Sequence, residues 1–291
     1  MSGESELQQS DNPAEDCLDI RELAGPDAFD ADSMCELTQG RKFHRVYAGS
    51  SFCPNYFLNC GIYPRLIAHC KEKGIRIGLS VCVFPQSLVK LGMQAVRRLL
   101  SDGDGVIDEL VVNDIGMLRF ASDELGLKVM LGRLFFKDAR DCRRPEFIAR
   151  RTSFSLLSCR SLLEEWQPSG IEIDPISAEI DLSHLPGSVG TVVLNSPFCY
   201  MSFGNVCRAA SAFRPIREKF RSSAPCELEC LRTASVHTDR LRKDAGKLYM
   251  VGKTVYFGQP SVRLVHPKET VIRKLYFPLQ EFIGRLQETA R

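Results

Sequence analysis

The stretch Ile75-Arg-Ile-Gly-Leu-Ser-Val-Cys-Val-Phe84 is a short apolar run rich in β-branched residues, a pattern that predicts a buried β-strand. Amphipathic segments lie on both sides of it, and residues 56–73 and 86–100 are predicted to be helices. Gly74 stands where the first of these helices would end, a position that favours glycine. Strands that alternate with helices in this way are typical of parallel βαβ units.

The alternation extends along the chain in both directions from this strand. Apolar runs predict further strands at residues 44–49, 108–112, 128–135, 171–174 and 191–194. Amphipathic segments predict further helices at residues 115–125, 155–166 and 271–288, and a hairpin is predicted at residues 247–257, around Gly252 and Lys253. A closed barrel and an open doubly wound sheet both fit this alternation, so the pattern alone predicts an α/β fold without choosing between them.

The composition is that of an ordinary globular protein, with 44% hydrophobic and 25% charged residues among 291. Residues 1–40 are expected to be an acidic, largely disordered segment, in which residues 17–40 are irregular or weakly helical. Residues 41–291 are expected to form one α/β domain that includes a cysteine-rich segment at residues 195–243. No apolar run approaches the roughly 20 residues of a membrane helix, and residues 1–16 lack the pattern of a secretory signal, so we expect a cytoplasmic protein without a membrane span.

Twelve cysteines are many for a protein of a reducing compartment, where disulfides are rare. Cys226 and Cys230 form a C-x3-C pair, which would share one face of a helix. Cys53 and Cys199 each come just after a predicted strand, and the carboxyl ends of parallel strands converge on one face of the fold. If these four thiolates meet there, they would suit an iron–sulfur cluster or a structural zinc ion.

Two alternatives to this site remain open from the sequence. The four cysteines could be independent buried thiols, because cysteine is among the most buried residue types. Cys207 could also replace one ligand, since it lies close to Cys199 in the chain. The remaining cysteines are interpreted as structural, and they are Cys17, Cys35, Cys60, Cys70, Cys82, Cys142 and Cys159.

The segments around these cysteines resemble the collagenase-like U-type peptidase family, and within it the UbiV-like branch of ubiquinone biosynthesis. The stretch Tyr47-Ala-Gly-Ser-Ser-Phe-Cys53 is similar to the first cysteine element of that branch, and Asn195-Ser-Pro-Phe-Cys199 is similar to the second. The pair Cys226 and Cys230 matches the third element. The stretch Val111-Val-Asn-Asp-Ile-Gly-Met-Leu118 is similar to a strand-to-helix segment of the family, and the likeness covers about residues 44–262.

The resemblance implies a fold, a cofactor and a class of reaction. The fold would be a TIM-type (β/α) barrel, complete or distorted, with a cysteine-rich C-terminal segment and a hairpin. The cofactor would be a [4Fe–4S] cluster on Cys53, Cys199, Cys226 and Cys230. The protein would be an enzyme, or the subunit of an enzyme with a UbiU-like partner, in oxygen-independent hydroxylation or related redox biosynthesis on a small-molecule substrate.

Three polar residues at predicted strand ends are candidates for substrate binding: Asn113, Asp114 and Arg133. The planar guanidinium fork of Arg133 could hold a carboxylate, or it could form a salt bridge at the barrel rim. Asn113 and Asp114 stand just before a predicted helix, where an N-cap is the competing interpretation.

Peptidase activity and RNA binding are the alternative functions. The sequence has neither Gly-x-Ser-x-Gly nor His-Glu-x-x-His, and its five histidines have no metal-ligand spacing; among them, His237 could be a base or a ligand near the cysteines. Arginine-rich runs would allow contacts with RNA phosphates. Between Arg140 and Arg151 only Phe147 is interleaved, so the repeated aromatic platform of a single-strand site is lacking there and a solvated loop is favoured. These cations are Arg140, Arg143, Arg144, Arg150, Arg151, Arg208, Arg214, Arg217, Lys219 and Arg221.

Overall fold

The computed structural model describes residues 14–25, 41–136, 154–155, 160–176, 179–212, 214–219, 226–238, 246–258, 262–266 and 269–289. In chain order, the strands within these ranges are β1 (Glu15–Asp19), β2 (Arg45–Gly49), β3 (Arg76–Val81), β4 (Ile107–Val112), β5 (Met130–Leu131), β6 (Phe154–Ser155), β7 (Gly170–Ile173), β8 (Glu179–Asp181), β9 (Thr191–Ser196), β10 (Phe198–Phe203), β11 (Ala234–Thr238), β12 (Lys247–Val251), β13 (Thr254–Gly258), β14 (Arg263–Val265) and β15 (Val271–Tyr276). The helices are α1 (Pro54–Asn59), α2 (Tyr63–Lys73), α3 (Val89–Asp102), α4 (Ile115–Arg119), α5 (Arg160–Trp166), α6 (Arg208–Ala212) and α7 (Leu279–Thr289).

Eight of the described strands form a closed parallel barrel in the order β1, β15, β9, β7, β5, β4, β3, β2. The pairing of β1 with β2 closes the barrel. The fold is therefore a TIM-type barrel rather than an open doubly wound sheet, and the α/β prediction is confirmed. One apolar cluster takes a single residue from each of six barrel strands, which places it inside the barrel: Cys17, Tyr47, Val111, Met130, Val193 and Leu275.

Two smaller sheets accompany the barrel. An antiparallel sheet has the order β10, β13, β12, β11, and it contains the predicted hairpin, in which β12 pairs with β13 around Gly252 and Lys253. A short parallel sheet has the order β14, β8, β6. The antiparallel sheet follows directly from β9, so it lies at the carboxyl end of a barrel strand.

The positions of two barrel strands differ from the predictions made from the sequence. Strand β1 lies in the segment that was expected to be irregular, so the barrel begins before residue 41. Its residues Cys17 and Leu18 are buried between β15 and β2 in spite of the acidic neighbourhood. Strand β15 occupies residues that were predicted to be helical, and helix α7 begins only at Leu279, after Pro278.

Other differences are local. The helix predicted over residues 56–73 is two helices, because Gly61 adopts a φ of 68° and α2 begins only at Tyr63, with Pro64 in its first turn. Gly74 ends α2 in the left-handed conformation, as the sequence predicted. The strand predicted at residues 128–135 is only Met130–Leu131, where it pairs with β4 and β7.

A substitution at Gly49 tests how closely β2 and β3 approach each other in the barrel. Its φ is 94°, and an added Cβ would lie against the carbonyl oxygen of Ser80. We expect Gly49→Ala to lower the free energy of unfolding by about 2–4 kcal/mol, measured by urea denaturation. Gly74→Ala is the control, because its φ is 66° but nothing surrounds the added Cβ, so only the conformational cost of about 1 kcal/mol is expected. Equal losses in both variants would contradict the close approach at Gly49.

Candidate metal centre

The turn of the β12–β13 hairpin brings two cysteines together. The backbone N–H of Arg208, next to Cys207, donates to the carbonyl of Gly252 over 3.1 Å. A Cβ added to Gly252 would lie 3.3 Å from the Cβ of Cys230, so the missing side chain of this glycine makes room for that cysteine. Helix α6, which follows Cys207, also packs against the 3₁₀ turn Glu229–Leu231 that carries Cys230.

Cys53 and Cys226 belong to the same group of thiols. Beyond the effect of burial, the neighbouring thiols Cys53, Cys207 and Cys226 each raise the pKa of Cys230, and Cys226 also raises the pKa of Cys53. Cys53 stands at the end of the loop that follows β2, where it precedes α1. Three separate chain segments therefore supply the four thiols, which we call the cysteine group (Cys53, Cys207, Cys226 and Cys230).

Backbone amides point at three sulfurs of the cysteine group. The N–H of Ala210 donates to the Sγ of Cys207 over 3.5 Å. The N–H of Tyr56 donates to Cys53, and the N–H of Leu228 donates to Cys226; each bond lowers the pKa of its thiol. Such bonds stabilise a thiolate over a thiol, and they tune sulfurs that bind a metal.

Burial of the thiols shifts their pKa values in the opposite direction, upward. It raises the pKa of Cys53 to about 11, although the Lys253 ammonium opposes this rise. Burial also raises the pKa values of Cys226 and Cys230. Without a bound cation, these three thiols are therefore protonated at neutral pH, and any metal that binds them has to displace protons.

The described residues contain no group of three or more histidine, cysteine, aspartate or glutamate side chains that could hold a single metal ion. A tetrahedral zinc site needs sulfurs about 4 Å apart, since each zinc–sulfur bond is about 2.3 Å long. A four-iron cluster bonds each thiolate to a different iron and so takes a more widely spaced set.

Cys199 follows the end of β9 closely, but it also lies within a further strand, β10. It packs there with Ile176 and Phe257 in a separate apolar cluster. Its neighbours Phe198 and Tyr200 belong to the main core instead, because alternate residues of a strand point to opposite faces. The sequence missed this because the chain continues from β9 almost directly into β10.

The C-x3-C pair is not on an α-helix either. Leu228 has a φ of 59°, and only Glu229–Leu231 form a 3₁₀ turn. The carboxylate of Glu229 accepts the N–H of Glu227 and thereby holds the chain between the two cysteines. Cys226 and Cys230 are thus brought together by a loop instead of by helical spacing.

A buried polar network fills the carboxyl end of the barrel, and Arg21 is at its centre. The guanidinium donates to Asp19 over 2.6 Å and to Glu172 over 2.7 Å, and it also reaches Ser51 and Asn195. These partners lie on or just after β1, β2, β7 and β9. Arg21 therefore joins four barrel strands, although the sequence analysis did not single it out.

The three predicted substrate-binding residues have partners within the protein. Arg133 is buried and forms an ion pair with Asp174, and its guanidinium lies 5.2 Å from the ring centre of Tyr200. The amide of Asn113 donates to the carbonyl of Val81 over 3.1 Å. Asp114 accepts the N–H of Met117 and caps α4, as the competing interpretation of this residue proposed.

Of the residues behind the alternative functions, Arg208 directly follows Cys207 of the cysteine group. His237 is exposed on β11 and bonds to Ser235 over 3.0 Å. Arg221 lies outside the described residues, as does the whole run from Arg140 to Arg151. Among the helices that the structure describes, none has the length and apolar character needed to cross a membrane.

Comparisons of this chain with protein families, with curated proteins and with solved structures found no match. Membership of the U-type peptidase family therefore stays a prediction from the sequence motifs.

The Arg21 network gives a prediction for stability. Arg21→Met would leave Asp19 and Glu172 buried without their cation, and we expect a loss of about 3–5 kcal/mol in the free energy of unfolding. Arg160→Met is the matched control, because Arg160 pairs with Glu164 on the exposed surface of α5. Urea denaturation measures both, and similar losses for the two variants would contradict the role of Arg21.

Glu22 gives a prediction for pH dependence. Burial raises the pKa of Glu22 above its ordinary value of 4.5, although Ser50, Tyr256 and the N–H of Phe52 donate to its carboxylate. The unfolded chain therefore ionises first as pH rises, and the native state loses stability from about pH 4.5 up to the raised native pKa.

We expect the stability of the wild type, relative to Glu22→Gln, to fall with rising pH by up to about 1.4 kcal/mol per pH unit within that window. Chemical denaturation at several pH values measures this difference. Glu72→Gln, which changes an exposed carboxyl, is the control and should show no such fall. A relative stability that stays constant or rises for Glu22 would contradict the raised pKa.

Proposed function

We propose that this chain is an iron–sulfur protein whose cluster is bound by the cysteine group, Cys53, Cys207, Cys226 and Cys230. The observation that carries the proposal is the meeting of these thiols around the hairpin turn at Gly252. Four thiolates suit a [4Fe–4S] cluster, and the resemblance to the UbiV-like branch implies the same cofactor.

Cys207 replaces Cys199 in this ligand set. Cys207 lies beside the hairpin turn and interacts electrostatically with Cys226 and Cys230, whereas Cys199 packs in a separate apolar cluster. The sulfur of Cys207 also accepts the backbone N–H of Ala210 over 3.5 Å, and hydrogen bonds of this kind tune the potential of a cluster through its sulfurs.

The surrounding residues suit a redox role for the site. Lys253 supplies a positive charge that acts on Cys53 and offsets part of the negative charge of the thiolates. Burial of Cys230 excludes water from one side, and the N–H donors at Cys53, Cys207 and Cys226 favour an electron-rich sulfur. A cluster held by all four thiolates would supply one-electron transfer.

The reaction proposed for this site is oxygen-independent hydroxylation or related redox biosynthesis on a small molecule. This part rests on the UbiV-like motifs, which also favour a UbiU-like partner subunit over a protein that acts alone. A peptidase is disfavoured, because the sequence lacks the motifs of a serine or zinc peptidase.

The ligand assignment can be tested by replacing single cysteines. The protein is purified without oxygen, and its visible absorption, iron and acid-labile sulfide are measured. We expect about four irons and four sulfides per chain in the wild type, and loss of at least half of this iron in Cys207→Ala and Cys230→Ala.

Cys199→Ala and Cys82→Ala are the matched controls. Both thiols are fully buried, and Cys82 is near enough to Cys53 for that thiol to raise its pKa. These variants cost packing but should keep the wild-type iron content. Loss of iron in Cys199→Ala with full iron in Cys207→Ala would overturn the assignment. A wild-type protein without iron would overturn the proposed function.

A further inference from the structure

A pocket of about 380 Å³ opens beside the cysteine group. It lies between the end of β10 and the β12–β13 hairpin, and the N–H of Gly204 fixes this arrangement by donating to the carbonyl of Lys253 over 3.2 Å. Arg208, which lines the pocket, is adjacent to Cys207 in the chain. Such a volume suits a small organic molecule.

The lining combines positive charge with apolar surface. Arg208 and Lys253 both line the pocket, and its lining includes no aspartate or glutamate. Phe203 and Val255 contribute apolar surface, and Asn205 contributes an amide. Phe203 packs against Phe52 with ring centroids 5.2 Å apart, and it is still 38% exposed, so part of its apolar surface faces the pocket.

The side chains of Arg208 and Lys253 are both available to bind an anion. Within the described part of the chain, neither Arg208 nor Lys253 forms an ion pair with a carboxylate. Arg208 donates instead to the Sδ of Met250, and a thioether is a weak acceptor. The barrel mouth differs in this respect, because its arginines Arg21 and Arg133 are both paired with buried carboxylates.

We propose that this pocket binds a small organic anion. Its anionic group would contact Arg208 and Lys253, and its apolar part would pack on Phe203 and Val255. Bound in this way, the anion would lie next to Cys207 and so beside the cysteine group. This inference goes beyond the iron–sulfur proposal and does not require it.

The test uses benzoate and inorganic phosphate as probes, with isothermal titration calorimetry on the full chain at low salt. We expect both probes to bind, and we expect Lys253→Gln and Arg208→Gln each to weaken them roughly threefold to tenfold. Phe203→Ala should weaken benzoate and leave phosphate unchanged. Added salt should weaken both probes, because the cations are partly exposed.

Lys90→Gln and Arg119→Gln are the matched controls, since both residues are exposed and lie on the barrel helices rather than at the pocket. Failure of both probes to bind would overturn the proposal. Equal weakening in the controls would overturn it as well, because it would indicate general attraction to a basic surface. Iron content measured on the same samples separates this outcome from the iron–sulfur proposal, since anion binding by iron-free protein would support the pocket alone.

Discussion

The structure depends on the burial of one arginine inside the carboxyl end of a parallel barrel. Arg21 binds Asp19 and Glu172 with both carboxylates almost fully removed from water. Its hydrogen bonds also reach Asn195 on β9, so strands that are distant in sequence are held in one arrangement. Because an unpaired charge at this depth is costly, the packing of β1 and β7 is coupled through this side chain. The barrel mouth is thereby filled by the chain's own ion pairs.

The side chains of the cysteine group consequently lie beyond the barrel mouth. The strand β9 leads directly into an antiparallel sheet, and the turn of its hairpin at Gly252 lies against Cys230 and the segment of Cys207. Cys53 approaches the same turn from the loop after β2. The barrel thus provides the anchor points, and the added sheet provides the surface on which the thiols meet.

The sequence predicted much of this fold, and its errors have physical reasons. The inner strands such as β3 and β9 are buried on both faces and were visible as apolar runs. Strand β1 was missed because the acidic residues around Leu18 interrupt the apolar run that would indicate a strand. Asp19 is tolerated inside the barrel only because Arg21 neutralises its charge. Of the predicted ligands, Cys199 could not be judged from spacing, since its direction depends on the alternation within β10.

We propose that four thiols share one iron-containing centre beside the hairpin turn. Anomalous diffraction at the iron edge, from crystals of protein purified without oxygen, is the decisive test. A compact peak of iron density is expected within bonding distance of Cys53, Cys207, Cys226 and Cys230. A peak at Cys199, or a crystal without iron density next to Gly252, would contradict it.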